Sequence, residues 1–374
     1  MNVAHLLASP FYGGPERQAV GLCSHLPGEI KTSFFSYAEG GKATMFLTKA
    51  KEAGFPAFSL RQNWPHVLQC CRELVSVLRE HQIDVLCTHG YKPDILGVIA
   101  GRAAGIPTIS FAHGWTSATW KVRANEWMDK RSMRWFDRVI GVSEKQSDRV
   151  RRSGVAKERV VTIHNAIALS DLKPRTDADR VVLESLFSFK PSVIAVAAGR
   201  LSPEKGFDVL IDAAKEIVHG SPDTGIVIFG AGPLDSSLQK QIFDHSLQRN
   251  VILGGFRTDL DRILPQADVF VLSSRTEGLP VIMLEAMGSG VAVCATPVGG
   301  VPEVIDDEVE GLIAITDNVS SLAKQILRLL TDVNLRQRLS AAAKKRVALQ
   351  FTHDLQAHAF VKLLHDVQLR PPRK

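Results

Sequence analysis

No stretch of this 374-residue chain nears the ~20 consecutive apolar residues that cross a bilayer, because each apolar run soon meets a Gly or a charge. The start, Met1-Asn2-Val3-Ala4-His5-Leu6-Leu7-Ala8, lacks a basic leader and a long apolar core, so it reads as a first strand rather than a signal peptide. Cysteine is scarce: Cys23, Cys70, Cys71, Cys87 and Cys294 are odd in number and form no CxxC, which points to a reducing cytoplasm. Zinc-finger spacing, a basic zipper and an RNP motif are all missing, so no nucleic-acid partner is expected. HExxH does not occur, and neither Gly141-Val142-Ser143 nor Gly288-Ser289-Gly290 completes a GxSxG elbow, which argues against metalloprotease and serine-hydrolase chemistry. Charge of one sign is also in short supply. The 45 Lys+Arg against 39 Asp+Glu leave +6, which fits an anionic substrate or a weak hold on an acidic membrane surface.

What is present is a globular chain of two-domain length, at roughly 150 residues per domain. Hydrophobic residues make up 45% and charged residues 22%, so two cores can be buried. Short apolar runs at 2–8, 32–37, 84–88, 108–111, 138–142 and 160–164 alternate with helical-period segments such as 64–81 and 92–104. The rhythm breaks over 170–180, a polar stretch with Pro174. A second set of runs follows at 192–198, 225–229, 251–253, 268–272, 291–295 and 312–315, with helices expected at 206–219, 234–247, 280–288 and 319–330. A last helix is expected over 352–368, capped by Thr352, with Leu355, Phe360, Leu363 and Leu364 on its apolar face. A basic, proline-rich tail, 370–374, closes the chain. The fold class is therefore α/β with parallel sheets, divided as 1–170, 171–350 and a terminal 351–374.

In such sheets ligands bind beyond the carboxyl ends of the strands, and two facing domains leave a cleft. After the first strand come Gly13-Gly14 and Glu16, either a tight turn or a close backbone approach to a ligand at a helix start. After 192–198 come Arg200 and Lys205 across a proline turn. Arg200 suits a diphosphate as a flat fork and Lys205 as a point charge. Gly230-Ala231-Gly232-Pro233 lacks the third glycine of a dinucleotide fingerprint, since position 235 is Asp235, and no acid follows at the required distance. After 268–272 come Glu277, Gly278, Leu279, Pro280, Val281 and, inside the following helix, Glu285. Amides at that helix start favour an anion, and the two carboxylates suit sugar or ribose hydroxyls.

Taken together, Gly199-Arg200-Leu201 with Glu204-Lys205-Gly206, and Glu277-Gly278-Leu279-Pro280 with Glu285-Ala286-Met287, resemble the signature of retaining glycosyltransferases of family 4. Gly13-Gly14 with Glu16, Gly255-Phe256, Ala267-Asp268-Val269-Phe270 and Gly299-Gly300 with Glu303 extend the likeness over nearly the whole chain. Asn165-Ala166-Ile167-Ala168 departs from that family's usual Asn-Gly-Val-Asp. The resemblance implies the GT-B fold: two Rossmann-like domains with parallel sheets facing a central cleft, and a last helix crossing back to the first domain. It also implies roles. Arg200 and Lys205 would bind the donor pyrophosphate and stabilise the leaving group, and Glu285 would bind the ribose. Glu277 would contact the transferred sugar, with the amides of Gly278, Leu279, Pro280 and Val281 as neighbours of sugar and phosphate. Phe256, in the Gly255-Phe256-Arg257 turn, would border the base. Gly14 would lie against the donor phosphate, and His113, in Ser110-Phe111-Ala112-His113-Gly114-Trp115, would sit near the anomeric centre.

The implied reaction breaks a sugar–phosphate bond, and fixed cations and helix amides stabilise the charge that grows on the departing diphosphate. No metal or other cofactor is expected, and Asp177-Ala178-Asp179 reads as an acidic helix start rather than a metal site. The expected partners are a nucleotide-sugar donor, UDP before GDP, and a glycan or lipid-linked acceptor, as in cell-surface polysaccharide or glycolipid assembly. Trp115, Trp120, Trp127 and Trp135 interleave with Lys121, Arg123, Lys130, Arg131 and Arg134. That pattern is either the inner face of a helix or a contact with the cytoplasmic leaflet of an anionic membrane. A sugar-nucleotide epimerase of the same architecture and a catalytically dead scaffold are the competing readings.

Overall fold

Parallel pairing dominates both halves of this computed structural model, which describes residues 1–8, 12–41, 43–115 and 120–369. Ser9, Pro10 and Phe11 of the first glycine loop, the 370–374 tail and the side chain of Lys121 lie outside the described residues. The chain forms two compact units, Met1–Ala166 with His353–Lys374, and Ile167–Thr352.

The first unit holds a seven-stranded sheet of β1 (Asn2–Leu7), β2 (Lys31–Tyr37), β3 (Ala57–Leu60), β4 (Val85–His89), β5 (Thr108–Ala112), β6 (Arg138–Gly141) and β7 (Val160–Thr162). Its order is β3-β2-β1-β4-β5-β6-β7. The second holds β8 (Val193–Ala198), β9 (Thr224–Phe229), β10 (Val251–Gly255), β11 (Val269–Leu272), β12 (Ala292–Ala295) and β13 (Leu312–Ile313), in the order β10-β9-β8-β11-β12-β13. Each sheet grows outward in both directions from its first strand, so each has a switch point, between β1 and β4 and between β8 and β11. The central strands are buried along nearly their whole length, as sheets covered by helices on both faces require.

Sequence missed β3. It has four residues, follows Pro56 and buries only its ends, Ala57 and Leu60, so neither alternation nor a continuous apolar run announces it. The helix expected from residue 64 begins at Val67, because Pro65 pushes its predecessor away from helical dihedrals.

The seam between the units falls slightly earlier than the polar stretch suggested. Ala166 is fixed to the first unit by Gln18, which donates to its carbonyl at 2.7 Å and accepts from its amide at 2.9 Å. Ile167 instead donates to the carbonyl of Phe351 at 2.9 Å and pairs with Thr352. The stretch 170–180 belongs wholly to the second unit, and by Asp177 it is already helical, with the Thr176 hydroxyl accepting from the Asp179 amide. The last helix, His353–Gln368, packs in the first unit. Ala357, Phe360, Leu363 and Leu364 lie against Val3, Cys87, Ile109 and Phe111. Leu355, expected on that face, is instead exposed, because the buried stripe runs through 353, 356–357, 360, 363–364 and 367.

The helix Trp120–Met133 is anchored by a buried polar cluster. Asp94 accepts from Thr88 and from Ser110 at 2.9 Å, and Trp115 Nε1 donates to Asp129 at 2.8 Å. Burial and the facing Asp129 carboxylate hold Asp94 well above the usual carboxylate range. Anchored this way, the helix buries Glu126, Asp129 and Ser132 and turns Trp120, Arg123, Trp127 and Arg131 outward. Trp135, just beyond the helix, is also exposed, while Trp115 is buried. A tryptophan-rich inner face is therefore overturned: Trp120 and Trp127 of the helix point outward, and the polar cluster that Trp115 joins holds the helix down.

Candidate active site

β8 and β11 are neighbours across the switch point, pairing Ala195 with Val269 and Val196 with Phe270. The loops that leave their carboxyl ends therefore run side by side. This brings Lys205 and Glu277, 72 residues apart in sequence, into an ion pair at 2.6 Å. Ser274 Oγ donates to the same Glu277 oxygen at 2.6 Å. Both partners are largely shielded, with side chains 21% and 10% exposed, so the pair is held more firmly than a surface one.

The surrounding backbone is stitched at short range. Gly206 sits in the left-handed region at φ 62°, and a Cβ there would lie 2.1 Å from the Ser273 carbonyl oxygen. Ser273 Oγ donates to the Lys205 carbonyl at 3.0 Å, and the Arg275 amide to the Glu204 carbonyl at 2.8 Å. Arg275 then clamps the base of the loop, donating to both oxygens of Asp208 at 2.9 and 2.7 Å and to Asp317 at 2.6 Å. These hydrogen bonds hold the Asp208 carboxyl below its ordinary range although partial burial opposes them. On the β12 side, Gly299 at φ 55° leaves no room for a Cβ, which would lie 2.2 Å from the Glu277 carbonyl oxygen. The Gly300 amide donates to the Gly278 carbonyl at 2.6 Å.

Pro280 precedes the helix Val281–Gly288, and no side chain caps that helix start, so its first amides are turned toward whatever lies before it. Glu285 lies one turn further in and is half-buried. Gly278, Leu279 and Pro280 are buried, which fixes the entry of the helix. Arg200 stands exposed at the start of the loop that carries Lys205. Among the described residues its guanidinium has neither an ion pair nor a hydrogen bond. Phe256 is 67% exposed beyond β10, and the neighbouring Arg257 is committed to Asp259 through two bonds of 2.8 and 2.7 Å. The Gly230 amide ties the β9 loop to the Gly255 carbonyl at 2.8 Å, and Leu201 accepts from Leu234 at 3.0 Å. The Gly230–Pro233 stretch thus serves as close packing between loops.

The other expected site residues lie in the first unit. Gly14 begins the helix Gly14–Ser24, and a Cβ there would meet open space. His113 follows β5, is half-buried, and bonds His89 at 2.9 Å. Burial lowers its pKa to about 4. Sequence reading missed Ser274 and Arg275, which support the ion pair, and the buried histidines His5 and His89 behind His113. Histidines at β1 and β4 positions that share a face with 113 were the available signal. It also passed over a second Asp-x-Asp, Asp259-Leu260-Asp261, whose first member is taken by Arg257. Of the first pair, Asp179 is engaged by Arg262 at 2.6 Å and by Thr176 at 2.9 Å.

Residues 12–171 match the family described as Glycosyltransferase Family 4, and residues 183–346 match Glycosyl transferases group 1. Among curated relatives, the UDP-Gal:alpha-D-GlcNAc-diphosphoundecaprenol alpha-1,3-galactosyltransferase of Escherichia coli is 26% identical over 342 residues, 89% of this chain and 88% of that one. The GDP-mannose-dependent monoacylated alpha-(1-6)-phosphatidylinositol monomannoside mannosyltransferase of Corynebacterium glutamicum is 25% identical, with 78% of each chain covered. HepE of Anabaena, solved in complex with UDP and glucose, superposes with a TM-score of 0.86 at 20% identity, over 98% of this chain and 100% of that one.

The local geometry predicts a contrast in stability. Gly206→Ala adds a methyl to a left-handed residue pressed on a carbonyl, so the variant should melt several degrees below wild type. Gly14→Ala, which meets open space in a helix, should melt no lower than wild type. Differential scanning calorimetry of both decides it, and equal melting temperatures would contradict the described packing. With its two unit-sized matches, its paired parallel sheets and its Lys205–Glu277 loops, the chain belongs to the family 4 glycosyltransferases and has their GT-B fold.

Proposed function

We propose that the protein is a retaining, metal-independent hexosyltransferase that moves a sugar from a UDP-sugar to a lipid-linked or glycan acceptor at the cytoplasmic face of a membrane. The observation that carries this reading is the Lys205–Glu277 contact beside the uncapped start of the 281–288 helix. A diphosphate brings concentrated negative charge, and this is where a cation and free amides are already positioned. Arg200 supplies a second cation from the same loop. As donor binds, Lys205 turns from Glu277 to the phosphate, and Glu277 is released to accept hydrogen bonds from sugar hydroxyls. Glu285 takes the ribose hydroxyls, Phe256 borders the base, and Gly14 and His113 act at the donor phosphate and the anomeric carbon.

Charge develops on the departing diphosphate as the glycosidic bond to phosphate breaks, and fixed cations and amides stabilise that charge more than they stabilise the ground state. A front-side attack follows, with the departing phosphate accepting the proton of the acceptor hydroxyl. Glu277 is the weaker choice as covalent nucleophile, because Ser274 still holds one of its oxygens once Lys205 has turned to the phosphate. UDP is preferred because the Escherichia coli relative is named for UDP-Gal and HepE was solved with UDP, although the Corynebacterium relative is named for GDP-mannose. A lipid-linked acceptor is supported by the two curated names, one a diphosphoundecaprenol and one a phosphatidylinositol derivative. No described helix is long and apolar enough to cross a membrane. The outward row of Trp120, Arg123, Trp127 and Arg131 has the amphipathic chemistry of an anionic interface.

Two measurements test the proposal. Incubated with a panel of nucleotide sugars and lipid-linked acceptors, the protein should release free UDP, and Glu277→Gln and Glu285→Ala should each lower that release about a hundredfold, the worth of a lost transition-state contact. Conversion of the sugar without nucleotide release would make it an epimerase, and binding without turnover a scaffold. In sedimentation at low salt, vesicles with anionic lipid should carry down wild type, and Trp120→Ser with Trp127→Ser should abolish this. If wild type stays in the supernatant, the membrane contact is wrong.

A further inference from the structure

At the switch point of the first sheet three histidines stand in a row. His5 lies on β1, His89 ends β4 and His113 follows β5, all on the face covered by the last helix. Register explains the alignment. His5 pairs with Cys87, two residues before His89, and His89 pairs with Phe111, two residues before His113, so alternation sends all three the same way. His5 Nδ1 lies 2.9 Å from His89 Nε2, and His89 Nδ1 lies 2.9 Å from His113 Nε2. The row ends inward at Cys23, whose Sγ is 3.5 Å from His5 Nε2. Its walls are apolar. Phe34, Phe111 and Phe360 flank His5 with ring centres 5.5 to 6.1 Å away, and Phe111 stacks on His89 at 4.5 Å.

A neutral imidazole has one N–H and one bare nitrogen, so in a row of such rings the direction of one hydrogen bond fixes all the others. All three rings are neutral. Burial lowers His5 to about 3 and His113 to about 4, and burial together with its two histidine neighbours lowers His89. The direction is set at the buried end. Desolvation pushes Cys23 up to about 12 although the Thr32 hydroxyl beside it pulls the other way, so it is a thiol with a proton to give. With that S–H given to His5 Nε2, 3.5 Å away, the direction of the whole row is set. His5 must then carry its proton on Nδ1 and donate to His89 Nε2, and His89 Nδ1 in turn donates to His113 Nε2. What remains at the open end is the Nδ1–H of His113.

We propose that Cys23, His5 and His89 are positioning residues that lock His113 in its neutral Nδ1–H tautomer, so that it presents a hydrogen-bond donor, and neither a base nor a cation, to its ligand. Building on the transferase reading, the group it meets is an uncharged acceptor oxygen, a hydroxyl or carbonyl of the donor sugar. The relay does not transfer a proton during turnover. It fixes which end of the ring faces out, much as an outer partner fixes a metal-bound histidine.

Long-range proton–nitrogen spectra of the full chain, labelled with 15N-histidine, read the tautomer directly. The His113 signals are assigned by their absence in His113→Gln. Wild type should show a protonated Nδ1 and a bare Nε2 on His113. A protonated Nε2 would overturn the proposal whatever reaction the protein performs, whereas a correct tautomer without transferase activity would overturn only the transferase reading. Cys23→Ser, which keeps a donor, should preserve the tautomer, and Cys23→Ala should leave a mixture. In turnover, His89→Phe should lower kcat roughly tenfold, the worth of one directed hydrogen bond, with KM little changed. Should His89→Phe not fold, the two Cys23 variants carry the same test, and unchanged spectra in Cys23→Ala would overturn the inward end of the relay.

Discussion

The ion pair between Lys205 and Glu277 depends on two parallel strands lying next to each other with their loops leaving the same end. A parallel sheet that grows both ways from its first strand must diverge there, and the gap between the diverging loops is where backbone amides and side chains can meet a ligand. Charge at that gap is prepared in advance. Lys205 is held by Glu277, Glu277 by Ser274, and the loop beneath by the Arg275 bonds to Asp208. In the proposed reading, an anion arriving there would displace one partner of an existing pair rather than order loose side chains, which would keep the entropic cost of binding low.

The same topological device recurs in the first unit with different contents. Its switch point carries imidazoles and a thiol in an aromatic setting where no charge is favoured. The second unit thus concentrates positive charge on its loops, and the first excludes charge from the row behind His113.

Much of this was legible in the residues. Short apolar runs between helical segments placed all but one of the strands, and the residues following them contained the candidate site motifs. Lys205 and Glu277 were separately visible. Their contact was not, because it depends on β8 and β11 being neighbours, a fact of strand order rather than of local pattern. β3 escaped because four residues with buried ends give no periodic signal. The outward tryptophans were ambiguous because helical spacing alone does not say which face is buried. The Asp94 and Asp129 cluster decides that, and it joins residues 35 positions apart, beyond any local window.

Calorimetric titration of UDP into the full-length protein tests most directly whether a diphosphate is held at the carboxyl ends of β8 and β11. The account predicts that Lys205→Ala binds UDP at least tenfold more weakly, with a smaller dependence on salt than wild type, as the loss of one charged contact requires. Equal affinity in the two proteins, or an unchanged salt dependence, would contradict it.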